Sequence, residues 1–122
     1  IIPGDGSTDE LNSSFLTDAD IIFCAARAGT QVINLKQMQD CESLKVIADV
    51  NAVPPAGIEG VGLKDNYIEH ETGAVSIGPL ISGDVKVKTQ YKMFEMMCQT
   101  ESPLFLNFEQ ALEVSQEILK LK

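Results

Sequence analysis

Asn51 is a polar side chain placed where a ligand site could form, because it ends the apolar run 46–50. It is followed by the pair Pro54 and Pro55. The residue before each proline is pushed out of the helical region, so we predict a buried strand that presents the Asn51 amide to a stiff loop. Open α/β sheets bind ligands at the carboxyl ends of their strands. The Asn51 amide is therefore a candidate ligand-binding group.

Lys86 is the second candidate, because its charge conflicts with its predicted position. Lys86 and Lys88 are predicted in the first turn of a helix over 85–99, where the helix dipole disfavours cations by ~0.3–1 kcal/mol each. Such departures from local preference are expected at functional sites. A lysine here could meet an anionic cofactor or a substrate carboxylate. The competing interpretation is that Asp84 compensates the charge and both lysines point to water.

The cysteines and the single histidine do not form a pattern of metal ligands. Cys24, Cys41 and Cys98 lack C-x-x-C spacing, so we predict no metal site. Buried reduced thiols in a cytoplasmic protein explain them. His70, which has a glutamate on each side, could act as a general base. The favoured interpretation is a solvated loop histidine.

The elements that must hold these residues alternate between strand and helix. A strand over 21–26 is followed by a short helix within 32–43 and by a second strand over 45–50. The connection exceeds the ~10–12 residues that a βαβ crossover needs, so a parallel sheet with covering helices is predicted. At the tip of the first strand, Ala25 and Ala26 either admit a ligand close to the backbone or pack against a helix. Both interpretations remain open.

The second half of the chain adds a third strand and two helices. Residues 57–73 are predicted as a surface excursion with a short strand around Tyr67. A strand candidate over 74–81 breaks at Gly78, because the proline after it would remove a ladder hydrogen bond. The helix over 85–99 follows, and Asn107 caps the last helix with Gln110 as its capping-box partner.

The amino-terminal residues resemble a dinucleotide fingerprint only in part. A strand end and a turn are predicted over 1–7, and a short helix or ordered loop within 8–17. Gly4 and Gly6 have the spacing of the first two fingerprint glycines, but Asp9 stands where the third glycine belongs. A carboxylate there would face a pyrophosphate, so the match fails.

Size and charge restrict the class of protein. The 122 residues, 44% of them hydrophobic, suffice for one compact domain or a large piece of one. A net charge of −9 argues against nucleic acid, whose binding needs clustered Lys and Arg. The apolar runs are too short for a membrane span. We expect no nucleic-acid or membrane partner, and we expect a cytoplasmic location.

Three stretches and the final capped helix carry a family resemblance that covers essentially the whole chain. Residues 48–61, which include Asn-Ala-Val-Pro-Pro, resemble the strand-and-loop signature of bacterial NAD(P)-dependent methylene-tetrahydromethanopterin dehydrogenases. Residues 76–88 are similar to the family's glycine-bearing strand and lysine-bearing helix start, and residues 18–29 to its preceding strand. The Asn-Ala-Val-Pro-Pro motif is fairly specific, since few Rossmann domains place two prolines after that strand.

The resemblance implies an α/β fold, the carboxyl-terminal half of a Rossmann-like dinucleotide-binding domain with a parallel sheet and flanking helices. That half would cover 1–102, and 103–122 would be a C-terminal helix packing back on it or on a catalytic domain. The family moves a hydride from methylene-tetrahydromethanopterin to NADP or NAD. Lys86 falls where the family has a lysine facing the active-site cleft, which implies a binding or positioning role, since geometry is most of the catalysis in hydride transfer. The implied cofactor-binding residues are Ala25, Ala26, Arg27, Ala28, Asn51, Ala52 and Gly78.

Two parts of the family pattern are missing from these residues. The glycine-rich phosphate loop is absent, together with the residue that selects ribose hydroxyl or phosphate. The amino-terminal pterin-side domain is absent as well. We therefore expect the chain to be the carboxyl-terminal part of an enzyme subunit, with the amino-terminal half of that enzyme, a tetrahydromethanopterin-type substrate and further copies of the subunit as partners.

Two other functions fit the same predicted fold. A related Rossmann dehydrogenase could act on methylene-tetrahydrofolate or on a shikimate-like substrate. A half-Rossmann module without catalytic activity could instead dock on a partner subunit.

Overall fold

The computed structural model describes residues 14–121. The predictions for 1–7 and for Asp9 lie outside the described residues, as does most of the helix predicted within 8–17, of which residues 14–16 are helical. The elements that follow in chain order are β1 (Ile21–Cys24), α1 (Leu35–Gln39), β2 (Val46–Asp49), β3 (Asn66–Glu69), β4 (Val75–Ile77), α2 (Pro79–Gln99) and α3 (Phe108–Leu119).

The chain divides into two compact units, Ile1–Ile81 and Ser82–Lys122. Within the described residues, the first unit contains the sheet and α1, and the second contains most of α2 and all of α3. The predicted assignment of domains to 1–102 and 103–122 stays a prediction.

The four strands form a single sheet in the order β1-β2-β4-β3. β1 and β2 are parallel with Cys24 opposite Asp49, and β2 and β4 are parallel with Ala48 opposite Ile77. The predicted α/β class and its strand–crossover–strand unit are confirmed. Because these three neighbouring strands run in the same direction, the residues that follow them lie at one edge of the sheet.

The strand predicted around Tyr67 is confirmed as β3, and it makes the sheet mixed rather than purely parallel. β3 pairs antiparallel with β4, with a register shift between Asn66 and Ile68. Tyr67 has a φ of 56°, which is uncommon for a bulky residue. All four β3 side chains are exposed, so this strand forms an outer edge.

One face of the sheet carries the core of the first unit. Successive strand residues point to opposite faces, so Ile22 and Ile47 are buried while Ile21 and Phe23 are 66% and 64% exposed. The outward face of β1 is therefore apolar and open to solvent. The other buried apolar residues of this core are Leu16, Cys24, Met38, Cys41, Leu44, Ile58, Val61 and Ala74.

α1 is a short helix fixed at its amino end by side chains. Asn34 Oδ1 accepts a hydrogen bond from Gln37 N at 2.9 Å, and Gln37 Oε1 accepts one from Asn34 N at 2.8 Å. This capping box satisfies two backbone N–H groups that the helix cannot pair internally. Leu35 N donates to Glu59 Oε2 at 2.8 Å, which ties the loop after β2 to the helix.

α2 begins earlier than the sequence pattern predicted. Residues 79–84, expected to precede the helix, form its first turns. Proline suits the first helical position, because its fixed φ is helical and its missing N–H would have no partner there. The prediction that Lys86 and Lys88 lie in the first turn is therefore wrong, and both lysines lie beyond the turn in which the helix dipole disfavours cations.

α3 begins as predicted. Asn107 Oδ1 accepts from Glu109 N at 2.8 Å and from Gln110 N at 3.4 Å, and Gln110 Oε1 accepts from Asn107 N at 3.1 Å. The predicted capping box is confirmed. None of the helices in residues 14–121 is both long enough and apolar enough to cross a membrane.

Candidate functional site

The candidate site is the carboxyl edge of the sheet, which we define as residues 25–30, 51–57 and Gly78. These segments follow β1, β2 and β4, which are neighbours in the sheet. Every cofactor-binding residue implied by the family resemblance lies on this edge, and Lys86 belongs to α2.

The loop after β1 exposes short side chains and its backbone. Thr30 N donates to Arg27 O at 3.1 Å, which closes a tight turn. Ala25 and Ala28 are exposed, whereas Ala26 is half-buried and packs against the core. The packing interpretation therefore applies to Ala26. Ala25 is exposed and short enough for a ligand to come close to the backbone, and such a contact stays a prediction.

The loop after β2 begins with Asn51, whose side chain joins the two loops. Asn51 Oδ1 accepts from Gly29 N at 3.3 Å and from Val53 N at 3.0 Å, and Nδ2 donates to Pro55 O at 3.1 Å. The residue is only 5% exposed. The amide is thus engaged inside the protein, and its contact with a cofactor stays a prediction.

Gly29 meets the loop after β2 at close range. It has a φ of 73°, and a Cβ added there would lie 3.5 Å from Pro54 O and 3.7 Å from Val53 Cγ1. Glycine adopts this left-handed conformation without steric cost. Beyond the contact, Ala52, Val53 and the cis-linked prolines 54 and 55 are exposed. They form an outer wall of the carboxyl edge.

Asp49 forms hydrogen bonds to the backbone of the loop after β2. It is fully buried at the end of β2, where Oδ1 accepts from Asn51 N at 2.8 Å and Oδ2 accepts from Ile58 N at 3.0 Å. Buried charges are costly unless hydrogen bonds compensate them. The single carboxylate therefore holds the backbone on both sides of the exposed residues 52–55.

Position 78 can hold only glycine, because the backbone of residues 62–65 packs directly against it. A Cβ at this position would overlap Gly62 O and would lie 2.8 Å from both Asp65 N and Leu63 O. Gly78 N also donates to Asp65 O at 2.8 Å. Packing of the segment 62–65 accounts for the glycine, and the cofactor contact implied for Gly78 stays a prediction.

Cys24 and Cys41 are buried as predicted, whereas Cys98 is exposed, so the prediction of a buried thiol is wrong for Cys98. Cys24 ends β1, next to the carboxyl edge. Burial raises its pKa above the ordinary value of 9.0; the backbone N–H of Ala26 opposes this, and the negative charge of Asp49 reinforces it. The protonated thiol is therefore the form present at neutral pH. Among the described residues, no group of three or more His, Cys, Asp or Glu side chains could hold a metal ion.

Lys86 is exposed on α2, within the second unit. Its neighbours along the helix are paired, with Lys88 Nζ 2.6 Å from Asp84 Oδ2 and Lys92 Nζ 2.6 Å from Glu95 Oε2. Lys86 forms no ion pair with any residue in 14–121. It lines a groove of about 500 Å³ that also contains Phe108 and Ser115.

Two polar residues near the core were missed or misjudged from the sequence. Asp49 was not singled out, although an acid inside an apolar strand is a signal of a buried hydrogen-bonded group. The prediction of a solvated loop histidine is wrong, because His70 is only 6% exposed. Its Nδ1 accepts from Thr72 N at 3.2 Å, so Nε2 carries the proton and donates to Glu59 O at 3.0 Å.

The chain is similar to a curated dehydrogenase over almost its whole length. It is 39% identical over 115 residues, 93% of the chain, to the NAD(P)-dependent methylenetetrahydromethanopterin dehydrogenase of Methylorubrum extorquens. A second protein of that organism, the bifunctional protein MdtA, is 24% identical over 110 residues, 90% of the chain. No protein-family model matches the chain.

Both relatives are much longer than the chain, which spans 39% and 38% of their lengths. The resemblance drawn from the strand tips and the proline motif is confirmed by the first relative. The chain therefore matches a partial region of that NAD(P)-dependent methylenetetrahydromethanopterin dehydrogenase.

Proposed function

We propose that the full-length protein carrying this chain transfers a hydride from methylene-tetrahydromethanopterin to NADP or NAD in one-carbon metabolism. The observation that carries this proposal is the 39% identity, over 93% of the chain, to a curated relative of that name. The exposed carboxyl edge supports it, because open α/β sheets bind nucleotides there. This relative does not favour the folate or shikimate-like dehydrogenase, or the module without catalytic activity.

The carboxyl edge fits one wall of a dinucleotide site. Ala25 and Ala28 are exposed and short, so a ribose or diphosphate group could approach the backbone beside Arg27. We assign Asn51 and Ala52 to the nicotinamide end, where the exposed proline turn would limit how the ring lies. NAD(P) supplies the hydride acceptor when bound, and these residues orient it and exclude water.

We assign Lys86 to binding or positioning of the pterin substrate. Its ammonium is exposed and has no ion-pair partner among the described residues. A lysine presents a compact charge that can meet a substrate carboxylate. The groove beside it, with Phe108 exposed at its wall, offers apolar surface to a ring system.

The amino-terminal half of the enzyme is the partner we propose for the open face of β1. Ile21 and Phe23 expose large apolar side chains there, and parallel sheets normally have both faces covered. We also retain the expectation of a homo-oligomer. A cytoplasmic location fits the three free cysteines.

Hydride-transfer assays on the full-length protein test the proposal. We expect NADPH or NADH to form with methylene-tetrahydromethanopterin, and much more slowly with methylene-tetrahydrofolate. Lys86→Ala should raise the KM for the pterin roughly 10-fold through loss of a charge-assisted contact. The matched control is Lys88→Ala, since Lys88 is already paired with Asp84, and it should leave the KM unchanged. A wild-type protein that is folded but inactive with the pterin would refute the proposal.

A further inference from the structure

The buried carboxylate of Asp49 lies beneath the candidate site without facing it. Its two oxygens accept hydrogen bonds from Asn51 N and Ile58 N, at 2.8 and 3.0 Å. These two amides stand at the beginning and just past the end of the segment 51–57. We propose that Asp49 is a positioning residue for NAD(P), which sets the shape of the carboxyl edge through this loop. The inference rests on the proposed function.

The loop packs closely against Asp49 and Cys24 at Gly57. A Cβ added at Gly57 would lie 2.5 Å from Cys24 Sγ and 3.1 and 3.3 Å from the Asp49 oxygens. Real Cβ atoms essentially never come this close to a sulfur, so the chain can pass only as glycine. The backbone at Gly57 therefore rests directly on the carboxylate and the thiol.

The effect of Asp49 reaches the loop after β1 through Asn51. The bond to Asn51 N holds the backbone from which the Asn51 side chain extends, and Oδ1 of that side chain accepts from Gly29 N at 3.3 Å. Gly57 O accepts from Val32 N at 2.8 Å and from Ile33 N at 3.1 Å. The chain that leaves β1 is thus held to the Asp49 loop at Gly29, within its exposed turn, and at Val32 and Ile33 after it.

This network has a consequence for binding rather than for chemistry. A site held in place before the ligand arrives spends no binding free energy on ordering itself. Loosening the 51–57 loop should therefore weaken NAD(P) binding and misplace the nicotinamide. The pterin, assigned to Lys86, should bind as before.

The test uses Asp49→Asn in the full-length protein. The variant keeps the size of the side chain and one acceptor oxygen, but it places an NH2 group against a backbone N–H. We expect the KM for NAD(P) to rise roughly 10- to 100-fold, the range that small misplacements produce, with the KM for the pterin unchanged. The matched control is Ile47→Val, a mild core truncation on the same face of β2, which should lower the Tm without changing either KM.

A second measurement keeps the inference falsifiable if Asp49→Asn does not fold. In the wild-type protein, the amide protons of Asn51 and Ile58 should exchange as slowly as those of the β2 ladder. Exchange at the rate of exposed loop amides would overturn the inference. A folded Asp49→Asn variant with both KM values unchanged would overturn it too. A wild-type protein without NAD(P)-dependent activity would instead refute the proposed function, and the inference, which rests on it, would be refuted with it.

Discussion

Replacement of Asn51 by alanine probes whether the two strand tips are joined as the structure shows. The change removes three hydrogen bonds, to Gly29 N, Val53 N and Pro55 O. Each such bond contributes roughly 0.5–1.5 kcal/mol net. Val53 is 52% exposed, so water can satisfy part of what is lost. We expect the free energy of unfolding to fall by about 2–4 kcal/mol.

Urea unfolding of the full-length protein gives this value, provided that the m-value stays constant. Asn51→Asp keeps both acceptor bonds but turns an oxygen toward Pro55 O, so it should cost about 1–2 kcal/mol. Asn66→Ala, at an exposed position of β3, is the control and should change stability by less than about 0.5 kcal/mol. A loss below about 0.5 kcal/mol for Asn51→Ala would show that this side chain does not join the loops.

Gly78, His70 and Cys24 each lie in a close contact that one substitution or modification can probe. Gly78→Ala should destabilise the protein by about 1–3 kcal/mol in urea unfolding, because its Cβ meets the backbone of 62–65; an unchanged midpoint would contradict that packing. His70→Ala should lower the free energy of unfolding by about 1–3 kcal/mol by leaving Glu59 O without its donor, and His70→Gln should recover part of the loss. Burial raises the pKa of the Cys24 thiol above its ordinary value of 9.0. The protonated thiol therefore contributes stability in full below pH 9.0, and this contribution is lost as the pH rises through the raised pKa. Alkylation monitored by mass spectrometry near pH 9 should therefore modify the exposed Cys98 well before Cys24, and equal rates would contradict the burial.

The strand tips could be predicted from the sequence because each ends in a clear local signal. Small residues follow β1, an amide and two prolines follow β2, and Gly78-Pro79 ends β4. Parallel pairing then requires these tips to share an edge. Each strand end was predictable because the residues that mark it are adjacent in the sequence.

The features that were wrong or missed each have a local pattern that fits more than one structure. Pro79 was interpreted as the end of a strand, although proline also suits the first position of a helix. The helix was therefore predicted to begin at residue 85, whereas α2 begins at Pro79. His70 lies between two glutamates, yet its ring is buried and hydrogen-bonded to the backbone of Glu59 and Thr72. Asp49 is buried in the middle of an apolar run, and only its partners at 51 and 58 explain it.

Hydrogen–deuterium exchange of the full-length protein, with and without NADP or NAD, tests most directly whether the carboxyl edge binds the cofactor. Addition of the cofactor should slow exchange in 25–30 and 51–57, while β3, at the outer edge of the sheet, should be unaffected. An active enzyme whose exchange slows elsewhere, with both loops unchanged at saturating cofactor, would contradict the assignment of this edge as the wall of the cofactor site.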